Sequence, residues 1–313
     1  MKQITLIGAG FLGSALALGA ARRGWDTTVI GRSDPFAIQN TDPGPGEIRL
    51  LTGDGVELLP ETLQQDVDAI IITAGGHFPL PSAAAPAADA IGTLSLVIGL
   101  CETVRSLSPQ TKIVFLSSAG AVYAPSDELK YESDPGEPTS PYGMSRRVGE
   151  EYMEYYRRVH GLSTHSLRCV NVYGRLLPRS RGQGVVSAAF WSALTGKPFT
   201  LHGDGRQTRD FIHVDDFVTA TLNLLESGRD LPGTINVGTG VGSSIANVLD
   251  AVGAATGSTI ATAPGPSAHT DTGNLAVDLS LLRNIIEFEP LDLDAGIKLM
   301  AREIAACGPL ESL

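Results

Sequence analysis

Short apolar runs alternate along this chain with longer stretches whose apolar positions recur at helical spacing. Ile4-Thr5-Leu6-Ile7 reads as a buried strand, the Ala/Leu-rich stretch to about Arg23 as a helix, and Asp26-Thr27-Thr28-Val29-Ile30 as a second strand. Residues 34–60 are rich in Pro, Gly and Asp and predict only a short third strand and loops. Ala69 to Gly76 reads as a fully buried strand ending in glycines. An Ala/Pro run from Pro79 to Ala88 then leads into an apolar helix ending near Arg105. Lys112 to Leu116 is the next strand, and Ser140 to Arg146 opens another helix. Beyond about Leu176 the pattern changes to a helix over Val185–Leu194, a strand over Pro198–Leu201, smaller pieces and a C-terminal helix. Repeated strand–helix alternation predicts an α/β fold, a doubly wound parallel sheet with helices on both faces. We assign this sheet to residues 1–175 and a smaller C-terminal α/β substrate domain to 176–313, with part of 210–240 packing back on the first.

Composition narrows the partners. A chain of 313 residues with 42% hydrophobic residues can bury a sizeable core. Thirty-four acidic against 23 basic residues, a formal charge of −11, argue against nucleic acid or an anionic membrane as the main partner. An anionic small ligand remains compatible, because a local arginine cluster outweighs the global field. Met1-Lys2-Gln3 runs straight into a strand, so no signal peptide is expected, and no apolar run reads as long enough to span a membrane. Cys101, Cys169 and Cys307 are scattered and the six histidines lack metal-ligand spacing. The expectation is a soluble, cytoplasmic, metal-free protein.

The candidate chemistry sits at strand ends. Gly8-Ala9-Gly10-Phe11-Leu12-Gly13 lies between a strand and a helix, where glycines let backbone N–H groups approach a pyrophosphate. This is the mark of a Rossmann dinucleotide site, with Gly8, Gly10, Phe11, Leu12 and Gly13 at the cofactor. The second strand ends in Gly31-Arg32-Ser33 where an NAD site commonly carries an acid. A guanidinium there suits a 2′-phosphate, so NADP(H) is expected through Arg32 and Ser33, with NAD as the alternative; Arg32 as a solvated loop residue is the plainer reading. Thr73, Ala74 and Gly75 are expected to pass under the cofactor, and His77 is either a pocket or a loop residue. Ser117 and Ser118 close the strand at Leu116, on the sheet edge where ligands bind. Tyr142 and Arg146, four apart, share one helix face, and a cation so close to a phenol would stabilise the phenolate. Arg175, Arg179 and Arg181 form either an anion site or a mobile basic loop.

A strand ending in Ser-Ser…Val-Tyr, then Tyr-x-x-x-basic, resembles the extended short-chain dehydrogenase/reductases. The chain is similar in particular to their NAD(P)-dependent nucleotide-sugar epimerase/dehydratase family. Arg168-Cys169-Val170-Asn171-Val172-Tyr173-Gly174, Gly182 to Val186 and Gly203 to Asp216 extend the similarity over essentially the whole sequence. The resemblance implies Tyr142 as catalytic acid/base, Arg146 on the nicotinamide ribose, and Ser118 as the remaining hydroxyl. It further implies Asn171, Gln183, Arg209, His77 and His269 on a nucleotide-sugar substrate, and homodimerisation through two helices. Asp215 and Asp216 are expected to cap the following helix. Four positions depart from the family pattern: Arg146 replaces its lysine, Ala119 its catalytic Ser/Thr, and Ile7 its first glycine, while Ala268-His269-Thr270-Asp271 lacks its diphosphate-binding arginine. Pro266 to Asp271 and the Gly10–Ser14 turn resemble NDP-4-keto-deoxyhexose reductases, whereas Ser117 to Tyr123 and the Gly203 run resemble UDP-sugar 4-epimerases. The favoured expectation is NADPH-dependent 4-keto reduction; alternatives are an NAD-dependent 4-epimerase or a catalytically weakened dinucleotide-binding sensor.

Overall fold

A computed structural model describes residues 2–32, 42–64, 66–75, 79–179, 184–265 and 273–306. In chain order its first half runs β1 (Gln3–Ile7), α1 (Phe11–Arg22), β2 (Asp26–Gly31), β3 (Ile48–Thr52), α2 (Gly55–Thr62) and β4 (Ala69–Ile72). There follow α3 (Pro79–Ala84), α4 (Pro86–Leu107), β5 (Lys112–Ser118), α5 (Ala119–Val122), α6 (Pro141–His160) and β6 (Thr164–Cys169). The second half contains β7 (Asn171–Tyr173), α7 (Val185–Thr195), β8 (Phe199–Leu201), β9 (Thr208–His213), α8 (Val214–Glu226) and β10 (Thr234–Val237). It ends with β11 (Gly242–Ser244), α9 (Ile245–Thr256), β12 (Thr262–Pro264), α10 (Ser280–Ile285) and α11 (Leu293–Ala306).

Seven strands pair in parallel in the order β10-β6-β5-β4-β1-β2-β3. Because β1 is flanked by β2 on one side and β4 on the other, the strand order reverses there, opening a crevice beyond the C-terminal ends of β1 and β4. Both sheet faces are covered. Leu6, Val114, Leu116 and Leu167 meet α1 and α8 on one face, and Ile70, Ile72, Ile113 and Phe115 pack with α4 and α6 on the other. Burial on both sides explains the unbroken Ala69-Ile70-Ile71-Ile72 run. A separate apolar cluster joins Tyr173, Phe190, Phe199, Val248, Ile297 and Met300, from α7, α9 and α11 with the short strands beside them. The segment over α8 and β10 lies on the large sheet: β10 pairs with β6, and Gly19 of α1 abuts Val218 of α8.

Two expectations change. Residues 34–60 hold more than a strand and loops, since α2 begins at Gly55, with the Asp54 carboxylate accepting from the amides of Val56 and Glu57. Pro60 inside this helix hid it from the pattern. Second, α4 is long and apolar enough to cross a membrane by length and composition, with a mean hydropathy of 1.5, contrary to the sequence reading. One face of it (Asp89, Thr93, Val97, Leu100, Cys101 and Val104) is buried within the fold.

Candidate active site

The β1–α1 turn needs its glycines for space. Gly8 holds φ +121°, and a Cβ on it would lie 2.5 Å from Thr73 Oγ1; one on Gly13 would lie 1.9 Å from Gly8 O. Thr73 Oγ1 ties the turn to β4 by donating to Ile7 O at 3.1 Å or Gly8 O at 2.9 Å. Gly10 caps α1 with no side-chain hydrogen bond and no acid follows in the first turn, so the helix presents bare amides. Phe11 is buried and Leu12 packs beside the core. Ile7 does not obstruct this turn. Its side chain is buried on the far face, with Cγ2 only 2.6 Å from where a Gly55 Cβ would be. The cradle, with bare amides at the head of α1 and glycines at the points of closest approach, fits a dinucleotide. Arg32 follows β2 and is exposed.

At the next strand ends, Ser140 Oγ accepts from Gly143 N at 3.1 Å and starts α6, with Pro141 in its first turn. Gly143 lets this turn approach α5: a Cβ there would sit 2.1 Å from Ala121 O. Tyr142 and Arg146 do stack, the guanidinium carbon 4.9 Å from the phenol ring centre and 5.4 Å from that of Phe115. Arg146 is buried; its Nη1 donates to Leu116 O at 3.3 Å, and its Nε has no partner. Gly75, after β4, lies directly against the guanidinium.

The serines divide. Ser117 is buried and donates to Glu150 Oε1 at 2.6 Å, so its hydroxyl is committed away from the crevice, leaving only its backbone for the cofactor role expected of it. Ser118, partly exposed, is the last extended residue before α5 and makes no side-chain cap. Ala119 is fully buried, so no hydroxyl stands at the family position.

Beneath α6 lies a network that the sequence reading missed. Arg168 is almost completely buried and pairs with Glu150 at 2.8 Å. It also donates to Tyr123 OH at 2.7 Å, and that hydroxyl donates to Asn236 Oδ1 at 2.9 Å. Burial pushes the Tyr123 phenol up to about 12. Burial opposes the Arg168 charge, but its bonds to Glu150 more than offset this and hold its pKa above the ordinary value. The available signal was an arginine one residue before the Cys169-Val170 pair, and a glutamate one turn beyond Arg146.

On the substrate side, Asn171 is exposed and its amide donates to Asp210 O at 3.1 Å. Arg209, half-buried, donates through Nη1 to Thr208 O at 2.8 Å and to Gly273 O. Arg175 pairs with Glu303 and lies 3.9 Å from Asp215, which removes it from a free basic loop. The α8 cap is His213 rather than Asp215 or Asp216: its Nδ1 accepts from Asp215 N at 3.3 Å, and both acids stand in the first turn. Ser33, His77, Arg181, Gln183 and His269, with the segment expected to lack an arginine, lie outside the described residues.

A dinucleotide cradle at the switch point and a tyrosine–cation stack one strand away define an oxidoreductase-type α/β protein, the extended short-chain dehydrogenase/reductase class. Residues 4–238 match the model of the NAD dependent epimerase/dehydratase family, and the chain belongs to that family. It is 29% identical to a UDP-glucose 4-epimerase of Mycolicibacterium smegmatis, over 93% of this chain and 94% of that one. It is 28% identical to a dTDP-4-dehydro-6-deoxy-D-allose reductase of a Streptomyces species, over 96% and 95%. The structure of a Thermus thermophilus UDP-glucose 4-epimerase complex with NAD superposes with a TM-score of 0.85 at 27% identity, covering 98% of this chain and 100% of that chain.

Proposed function

We propose that this enzyme oxidises and reduces a sugar carbon of a nucleotide sugar, with NAD as cofactor, and acts as a 4-epimerase. The carrying observation is the Tyr142–Arg146 stack beside a glycine cradle, in a chain alignable almost end to end with 4-epimerases. When bound, the cofactor supplies the hydride acceptor and donor. Gly8, Gly10, Phe11, Leu12 and Gly13 would hold its pyrophosphate, and Thr73, Ala74 and Gly75 would line the neighbouring part of its site. Tyr142 takes the proton from the sugar hydroxyl and returns it; Arg146 holds the phenol and the ribose side. Ser118 is the nearest hydroxyl in sequence to the family position that Ala119 occupies. Asn171 and Arg209 orient the nucleotide, the latter because a guanidinium fork matches phosphate oxygens. Tyr142→Phe is expected to lower turnover by about 10²–10⁴-fold with cofactor affinity nearly unchanged; unaltered turnover would remove Tyr142 from the chemistry.

Two observations favour a second reading. Arg32, exposed at an acid-free strand end, suits the 2′-phosphate of NADPH, and the allose reductase relative aligns over as much of the chain as the epimerases. Under that reading Tyr142 protonates the alkoxide formed at a 4-keto group. Mass spectrometry of nucleotide released from denatured protein separates the two. Stoichiometric NAD supports the epimerase; empty protein that NADPH stabilises far more than NADH supports the reductase.

We also propose a homodimer. Met144, Tyr152, Tyr155 and Val159 on α6 and Ile91 on α4 are exposed, the α6 positions recurring on one helical stripe. Light scattering is expected to give a dimer that Tyr155→Glu weakens.

A further inference from the structure

Two kinds of glycine meet at the crevice. Gly8 has a backbone that side-chain-bearing residues rarely adopt, whereas Gly75 does not lie in the left-handed region. What Gly75 lacks is room. An ideal Cβ there would sit 2.1 Å from Arg146 Nη2, 2.7 Å from Cζ and 2.8 Å from Nη1. Three guanidinium atoms within 2.8 Å of that point mean that the cation fills the space a side chain at residue 75 would need.

The guanidinium is held on several sides. The Phe115 and Tyr142 rings flank it, Nη1 is fixed to Leu116 O, and the buried Nε is left without any partner. An orphaned buried donor is unfavourable, so the position is imposed by its surroundings rather than by ideal bonding of the head group. We infer that Gly75 is a positioning residue that admits a guanidinium as the tyrosine's basic partner, and that residues 75 and 146 operate as a matched pair. An ammonium is compact and lacks the plane that needs this space. Gly75 closely follows Thr73, which bonds the β1–α1 turn, so displacing Arg146 through residue 75 alters the face offered to the cofactor. The inference rests on the placement of Arg146 at the cofactor in the proposed function.

The test is a set of five variants: G75A, R146K, R146A, G75A/R146K and G75A/R146A. NADH and NADPH affinity is measured by calorimetry, and the melting temperature is measured without nucleotide. G75A is expected to weaken binding of the preferred cofactor by at least about tenfold when Arg146 is present. The same substitution should change affinity by less than about twofold in the R146K and R146A backgrounds. Equal losses in all three backgrounds, or no loss with Arg146, would overturn the pairing. If G75A alone fails to fold, recovery of folded protein in G75A/R146K supports the pair and persistent misfolding overturns it. Turnover that survives Tyr142→Phe would strike the catalytic reading while leaving this binding cycle intact.

Discussion

Within the nucleotide cradle the glycines carry separate burdens. Gly8 meets Thr73 Oγ1 and Ala74 N in a positive-φ backbone, so its demand is conformational and steric at once. Gly10 caps α1 at φ −75°, a value open to any residue, and is exposed. Gly8→Ala is therefore expected to destabilise the apo protein by about 1–3 kcal/mol, read by urea denaturation. Gly10→Ala should leave apo stability within about 0.5 kcal/mol while weakening dinucleotide binding, because it adds bulk at the bare-amide start of α1 where the pyrophosphate is proposed to sit. Similar apo losses for both would show that the two glycines share one structural role. The GxGxxG spacing made this turn legible in the sequence. It did not reveal which glycine was there for its backbone and which for its lack of bulk, because only the surrounding atoms decide that.

Among the elements, α6 joins stability to chemistry. It starts at a Ser140 cap, ends at Gly161 with φ +68°, and carries Tyr142 and Arg146 in its first two turns. Ser140→Ala is expected to cost about 1 kcal/mol, within the 0.5–2 kcal/mol span of such caps. Its effect on turnover should exceed what the small loss of folded protein explains, because the frayed turn holds the tyrosine. Parallel measurement of melting temperature and kcat checks this; proportionate losses would place the turn outside the chemistry. The helix start over Ser140 to Arg146 and the Tyr-x-x-x-Arg spacing were readable from local sequence, whereas the Gly161 cap was not read there. The α2 helix was not, because its Pro60 and flanking glycines are breakers by propensity and Asp54 capping with packing under β2 overrides them.

Across the whole molecule, the Arg168–Glu150 pair ties α6 to β6 and through Tyr123 to β10. Both side chains are almost wholly buried, so removing one partner leaves an uncompensated charge. Glu150→Ala is expected to cost about 3–5 kcal/mol in chemical denaturation. Acid sensitivity follows from two buried imidazoles. Burial lowers the pKa of both His165 and His213 from the ordinary value of 6.5. His165 Nδ1 donates to Pro232 O at 2.9 Å, leaving Nε2 to accept from Ser163 Oγ; the bond to Asp215 N likewise requires His213 Nδ1 unprotonated. The unfolded chain takes up protons near pH 6.5 that the folded chain refuses. Their contribution is thus fully present above that pH and is lost as the pH falls toward the depressed folded values. Glu132, Asp210 and Asp216, each raised by burial, take up protons above the ordinary carboxylate range and offset part of that loss. Melting temperatures from pH 8 to 5 should decline, and His165→Gln should flatten the slope; a flat wild-type profile would contradict both assignments.

Most of the strand–helix alternation, the parallel sheet and the place of the crevice were determined by the sequence itself. Runs such as Ala69 to Ile72 can only be buried on both faces, and the glycines after β1 can only be a close-approach turn. The tertiary structure alone decided what the side chains in that crevice do. It turned Ser117 inward to Glu150, gave the α8 cap to His213, committed Arg175 to Glu303 and set Arg146 against Gly75. Residues 75 and 146 are 71 positions apart, on different elements, and no local period links them. Their relation exists only because β4 and α6 meet at the same edge of the sheet, where the space one residue leaves empty is the space the other fills.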